Sequence, residues 1–308
     1  MLDIEIEPRA TSLHLQTAAL RKDERRFAAQ KGLGDRLTII DSCRLHQEDG
    51  AIIELAIGLA EESPPNVILD VSAMPKRFFF PILTHLCEAS QIENLVVTNT
   101  SPLRYGDVMS GGWDDWKPLP IYDGDPFDHS PNVTLVVGVG YQLLSIQQIL
   151  ERNKSRTAAV KLMLPFPSLH PGLIENWKFI RHIVRQRQAS LEGRQSERPP
   201  IERVPISDVS LAFDRLVRLT ERGKTRSLIL APYGPKPLSV AMCLLGFARR
   251  TLGFDDELER WRYPTEIGYT QPAWYHPDYT AGIRLTNGVP DVAAFCIRLK
   301  GRSLYQLD

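Results

Sequence analysis

Most of the features that usually give away a function are missing from this 308-residue chain. No apolar run approaches the roughly 20 residues that a membrane-spanning helix requires. Cysteine is scarce: Cys43, Cys87, Cys243 and Cys296 lie far apart and mostly inside apolar runs. That pattern excludes a disulfide framework and a paired-cysteine zinc site, and it fits reduced core thiols in a cytoplasmic protein. Neither sign of charge is in excess, with 37 Lys and Arg against 37 Asp and Glu, so no global field draws the chain to nucleic acid or to a membrane. The seven histidines show no ligand spacing. The serine-hydrolase elbow, HExxH, GxGxxG and kinase signatures are all absent. The sequence names no cofactor, and no metal site is expected.

What is present is centred on Asn66-Val-Ile-Leu-Asp-Val-Ser-Ala-Met-Pro-Lys-Arg-Phe-Phe-Phe-Pro-Ile-Leu. Val67 to Val71 is an aliphatic run without polar alternation, the mark of a strand covered on both faces. Asp70 falls at its carboxyl end, with Ser72 just beyond. Pro75 then opens a helix at a position where a missing N–H costs nothing. Lys76 and Arg77 occupy the first turn, against the usual preference for negative charge there. An anion lying between such cations and the helix N–H groups would make the placement favourable. The plain alternative is that both side chains reach into water.

The same plan returns in Arg226-Ser-Leu-Ile-Leu-Ala-Pro-Tyr-Gly-Pro-Lys-Pro-Leu-Ser. Pro235-Lys236 matches Pro75-Lys76, Ser239 stands in the first turn, and Ala241 to Phe247 is apolar all round. This string lacks the glycine spacing and the Lys-Ser or Lys-Thr pair of a Walker loop.

Around these units strands and helices alternate: a strand at 37–41, a helix at 50–62, a strand at 95–100, another at 133–137. Further on come a helix at 143–153 and strands at 158–164 and 201–206. This alternation predicts a three-layer α/β protein with a mainly parallel sheet, either in two Rossmann-like halves or as one large sheet. The expected organisation is an arm and helix over 1–35, a first α/β unit over 36–192 and a second over 193–308. Asp41, Asp70 and Asn99 fall near strand ends, where open α/β sheets bind ligands. Gly138-Val-Gly-Tyr lacks the third glycine of a dinucleotide fingerprint, although its glycines leave room for a close backbone approach.

Two segments break the rhythm. Residues 101–131, rich in Gly, Pro, Asp and Trp, read as an inserted loop serving as a lid or a docking surface. Its Asp123-Gly-Asp-Pro-Phe-Asp lacks EF-hand spacing. A basic helix over 172–198, carrying Lys178, Arg181, His182, Arg185 and Arg187, is either a solvated face or a surface for nucleic acid or an acidic partner. Near the end, Tyr269, Trp274, Tyr275, His276 and Tyr279 form an aromatic loop able to stack a base or a sugar.

Two functions fit these residues. One is a nucleotide or phosphate-ester binder, acting as a hydrolase or a ligand sensor. In it Asp70 and His276 handle protons, while Ser72, Lys76, Tyr233, Lys236, Ser239 and Tyr275 hold the ligand. The other is a non-catalytic subunit of a multi-protein assembly, docking through 101–131 and 172–198. Lys76 and Lys236 are expected to line one pocket, where a negative group must offset their repulsion.

Overall fold

The computed structural model describes residues 2–5, 23, 40–106, 110–124, 133–140, 148–150, 157–167, 177–178, 180–182, 201–205, 207–255, 260–261, 263–276 and 279–307. The helix expected in the first 35 residues and most of those expected over 143–153 and 172–198 lie outside them.

Along the chain, β1 (Leu2–Glu5) runs parallel to β2 (Ile40–Arg44). Then come α1 (Asp49–Glu61), β3 (Asn66–Asp70), α2 (Lys76–Glu88) and β4 (Asn94–Thr100). Three strands follow: β5 (Pro102–Tyr105), β6 (Ser110–Trp113) and β7 (Lys117–Asp123). The middle of the chain supplies β8 (Val133–Gly138), β9 (Thr157–Phe166), β10 (Ile201–Pro205) and α3 (Val209–Leu219). Next are β11 (Ser227–Pro232), α4 (Lys236–Thr251), and the short pair β12 (Phe254–Asp255) and β13 (Arg260–Trp261). The chain closes with β14 (Thr265–Tyr269), β15 (Pro272–Tyr275), β16 (Thr280–Ile283), β17 (Leu285–Thr286), β18 (Val289–Pro290), β19 (Val292–Leu299) and β20 (Arg302–Ser303).

These elements fall into two units, and the chain passes between them several times. The first comprises Met1–Ile52, Thr100–Asp114 and Gln271–Val292; the second comprises Ile53–Asn99, Asp115–Thr270 and Ala293–Asp308.

In the first unit small antiparallel ladders dominate: β5 with β16, β6 with β15, and the β17–β18 hairpin. Gly111 is required by packing, since a Cβ there would lie 2.6 Å from the Trp274 ring. The hairpin turns on Asn287 and Gly288, both at positive φ (54° and 78°), which is the backbone that a two-residue type I′ turn demands.

The second unit holds a six-stranded sheet in the order β10-β9-β8-β11-β14-β7. Its first five strands are parallel and β7 is antiparallel at the edge. Every residue of β8 and β11 is buried, as their unbroken aliphatic runs require. A separate four-stranded sheet runs β20-β19-β4-β3. Helix α2 packs on α4 and β7, while α4 also packs on β11, β14 and α3. Residues 77–84 of α2 and 237–249 of α4 are buried without a break, the signature of helices apolar on every side.

The expected three-layer, mainly parallel, Rossmann-like sandwich is not what forms. Among the described residues strand outweighs helix (40% against 31%), and the strands are divided among one six-stranded mixed sheet, one four-stranded sheet and several two-stranded ones. The decisive difference is β3. It is an edge strand, and Ile68 is 73% exposed where a position covered on both faces was expected. An apolar run of five residues does not specify what covers its second face, and here nothing among the described residues covers Ile68. Within the expected loop over 101–131, the described residues 101–106 and 110–124 differ from that expectation. Their Gly, Pro and Trp residues form β5, β6 and β7, whose partners lie some 150 residues further along the chain, beyond any local pattern.

Candidate functional site

The second unit gathers six of the eight sequence-derived candidates. β3 ends at Asp70, whose register partner in β4 is Thr98. One carboxylate oxygen of Asp70 accepts the Ser72 N–H at 2.8 Å, and the other accepts the Thr98 hydroxyl at 3.1 Å. This Asx-type turn releases the chain from the strand and leads it through Met74 and Pro75 into α2. β11 passes through Tyr233, Gly234 and Pro235 into α4. Here the exits of β8 and β11 close on each other: a Cβ on Gly140, just past β8, would stand 1.9 Å from the Tyr233 carbonyl oxygen. The glycine after β8 thus admits the protein's own backbone.

Pro75 and Pro235 are the N-caps of α2 and α4, and neither helix has a side-chain cap. Two helix ends therefore present N–H dipoles together with a lysine at the first position. Pro237 supplies no N–H, so the positive field at α4 comes mainly from Lys236. The two ends are linked, because Lys236 Nζ donates to the Met74 carbonyl in the turn before α2. The same ammonium lies 4.8 Å from the Phe79 ring centroid, and Lys76 Nζ lies 4.6 Å from that of Tyr269. Tyr233 stacks at a tilt on Tyr269, 5.8 Å between centroids.

The charge of Lys76 acts on Lys236. Burial pulls the Lys76 pKa down to about 7. Burial pulls Lys236 well below the ordinary lysine range, the charge of Lys76 pushes it further, and the Asp70 carboxylate opposes the shift. The carboxylate anticipated as the offset is therefore close enough to act on Lys236. Asp70 serves here as a counter-charge, with both oxygens already engaged, more than as a free acid or base.

The remaining candidates in this unit have internal partners. The Tyr233 hydroxyl shares a hydrogen bond with Thr270 at 2.8 Å, and burial raises its pKa. Ser239 is fully buried, and its hydroxyl donates within α4's own first turn, 3.3 Å from the Pro235 carbonyl. Both side chains shape the site without facing a ligand in this arrangement. His276 and Tyr275 belong to the first unit. Tyr275 accepts from Gln271 Nε2 at 3.3 Å and meets Tyr279 edge-on at 5.7 Å, and the His276 carbonyl accepts the Tyr279 N–H at 2.9 Å. Residues 277–278 of the aromatic loop lie outside the described residues, as does most of the basic helix.

Several functional neighbours escaped the sequence reading. The Met74 carbonyl is backbone and leaves no trace in residue identity. Phe79 was legible only as core. In the first unit, His46 Nδ1 stands 3.2 Å from Asp114, a pairing across 68 positions that no motif spacing encodes. The cysteines beside the helix pair offer no nucleophile: burial raises Cys87, and it pushes Cys243 up to about 12. Among the described residues no three His, Cys, Asp or Glu side chains gather into a metal-binding group, and no helix is long and apolar enough to cross a membrane.

Compared with protein-family models and with curated proteins, the chain matches none.

Proposed function

We propose that this protein binds a nucleotide or another phosphate ester through Lys76 and Lys236, with the uncapped N-termini of α2 and α4 contributing backbone dipoles. One observation carries the reading: two buried helices packed on each other each begin with Pro-Lys, and Lys236 bonds the Met74 carbonyl in the turn before Lys76. A cation pair drawn partly out of water is costly alone. A phosphate between the amines would convert that cost into attraction and add charge-assisted hydrogen bonds. Whether the bound ester is hydrolysed or only sensed depends on groups beyond this pair, since Ser239 and Tyr233 are internally bonded.

The second reading, a docking subunit, draws on a different observation. Leu103, Ile283, Leu285 and Val289 of the first unit are all more than half exposed, on the β5–β16 ladder and the neighbouring hairpin. The register sets Leu103 and Ile283 on opposite faces of the ladder, and Leu285 and Val289 on opposite faces of the hairpin, so a partner would meet single apolar side chains on each face.

A thermal-shift screen separates the two. With ATP, ADP, GTP and inorganic pyrophosphate at about a hundred times their dissociation constants, the binding reading expects a stabilisation of about 2.7 kcal/mol. The shift should vanish in a Lys76→Met, Lys236→Met double variant. If the native chain shows no shift with any phosphate compound, the docking reading is the better one.

A further inference from the structure

β3 lies at the edge of its four-stranded sheet, and its ladder with β4 shows which backbone groups are left over. The Asn94 N–H donates to the Pro65 carbonyl at 2.9 Å, and the Val71 N–H donates to the Thr98 carbonyl at 3.0 Å. In a parallel ladder alternate residues of a strand turn both backbone groups toward the same neighbour. Val67, Leu69 and Val71 therefore face β4, while Asn66, Ile68 and Asp70 turn their N–H and C=O groups out of the sheet. The side chains of those three share the exposed face, with Ile68 73% exposed, and Leu69 is buried on the other. Edge strands are commonly blunted by a proline, a lysine or a bulge. None of these interrupts β3, whose register with β4 runs without a shift. Among the described residues no strand pairs with this edge.

The edge is complementary to itself. Set antiparallel about a two-fold axis at Ile68, two copies place Ile68 opposite the partner's Ile68 and Asn66 opposite the partner's Asp70. All the outward residues then fall at hydrogen-bonded positions, and each exchanges both backbone bonds with the residue it faces. A slip of one residue would set outward groups against inward ones and lose them. The side chains fit the same register. Asn94 Nδ2 donates to the Asn66 Oδ1 at 2.7 Å, which leaves Asn66 Nδ2 to donate to the partner's Asp70 carboxylate. The two Asp70 charges lie at opposite ends of the pair, on the order of 13 Å apart, and are screened from each other at physiological salt. At the axis the two Ile68 side chains cover one another.

We propose that β3 is a dimerisation edge, through which two copies of this chain pair antiparallel by Asn66, Ile68 and Asp70 into one continuous sheet. The proposal does not rest on the phosphate reading. Two short strands bury less than the roughly 1,200 Å² of a stable interface, so the dimer is weak. Sedimentation velocity of the full chain should show monomer giving way to dimer as concentration rises from the micromolar toward the millimolar range. Ile68→Pro removes an outward N–H and leaves the β3–β4 bonds whole, so it should keep the native circular dichroism and lose the dimer. Ile68→Lys sets two ammonium groups side by side at the axis and should weaken association on the order of a hundredfold, which keeps the test decisive if the proline variant fails to fold. Ile68→Cys should cross-link to itself under mild oxidation, because the opposed Cα atoms of a hydrogen-bonded pair lie about 5.5 Å apart. Asn66→Cys, displaced from the axis, should not. A chain that stays monomeric throughout, a dimer that Ile68→Lys leaves unchanged, or equal cross-linking at positions 66 and 68 would each overturn the proposal. So would protection of the β3 amides from hydrogen exchange at every dilution, which would show that the chain's own residues occupy the edge.

Discussion

At the residue scale the balance is set by groups that are charged in water and costly to charge where they sit. Lys76 titrates near pH 7 in the folded chain, against an ordinary value of 10.5. The unfolded chain therefore keeps this proton to higher pH than the folded one, and stability rises as the pH climbs through that window. Lys236 is shifted in the same direction, with burial as the main cause. A Lys76→Met variant should accordingly be more stable than the native chain near neutral pH, with the gap narrowing toward pH 10.5. Urea midpoints of both proteins across this range check it, and a gap that does not change with pH would contradict it. Arg249 is the opposite case, a cation with every need met. It is 1% exposed, and its guanidinium donates to Thr265 Oγ1 and to the carbonyls of Gly223, Thr225 and Pro264. Burial lowers its pKa only to about 10, so it remains charged. Arg249→Met removes the guanidinium donors from the Gly223 and Thr225 carbonyls, while Pro264 keeps the Leu228 N–H, and should cost about 3 kcal/mol in urea unfolding.

At the element scale the close approaches are made by glycine. A Cβ at Gly268 would come within 1.6 Å of the Trp116 indole, and one at Gly140 would meet the Tyr233 carbonyl. The clash at Gly268 is with a side chain, whereas the Tyr233 carbonyl belongs to the backbone that positions α4. Gly140→Ala should therefore destabilise more than Gly268→Ala, both by at least about 1–3 kcal/mol, with melting temperatures as the readout. An equal or reversed order would show that the strand exits are not packed as described. The sequence disclosed these elements unevenly. β8, β11 and the two Pro-Lys helices were legible because unbroken apolar runs and N-terminal prolines are local signals. β3 was misread because the same kind of run serves a central strand and an edge strand alike. β5 to β7 were hidden because antiparallel partners at 265–283 decide their conformation and residue type does not. The Asn287-Gly288 turn was a local signal in plain view, and it marks the β17–β18 hairpin.

At the scale of the whole molecule the lysine pair is the point where remote parts of the second unit converge. Lys76 and Lys236 are 160 positions apart in sequence and follow strands of different sheets. Their likeness in sequence, Pro-Lys before an apolar helix, was enough to suggest a shared site. It gave no hint of the Met74 carbonyl, of the two aromatic rings, or of the internal bonds that occupy Ser239 and Tyr233.

The central claim is that a phosphate sits between the two amines, and proton-linked calorimetry tests it most directly. Binding an anion restores full charge to a pair that shares less than two protons near neutral pH. Titrating pyrophosphate into the native protein at about pH 8, in buffers of different ionisation enthalpy, should therefore show net proton uptake. Affinity should also weaken as the pH rises from about 7 to about 9. The Lys76→Met, Lys236→Met variant should lose both the proton uptake and at least about 3 kcal/mol of binding, the worth of two charge-assisted contacts. Binding without proton uptake, or undiminished binding in the double variant, would contradict the account.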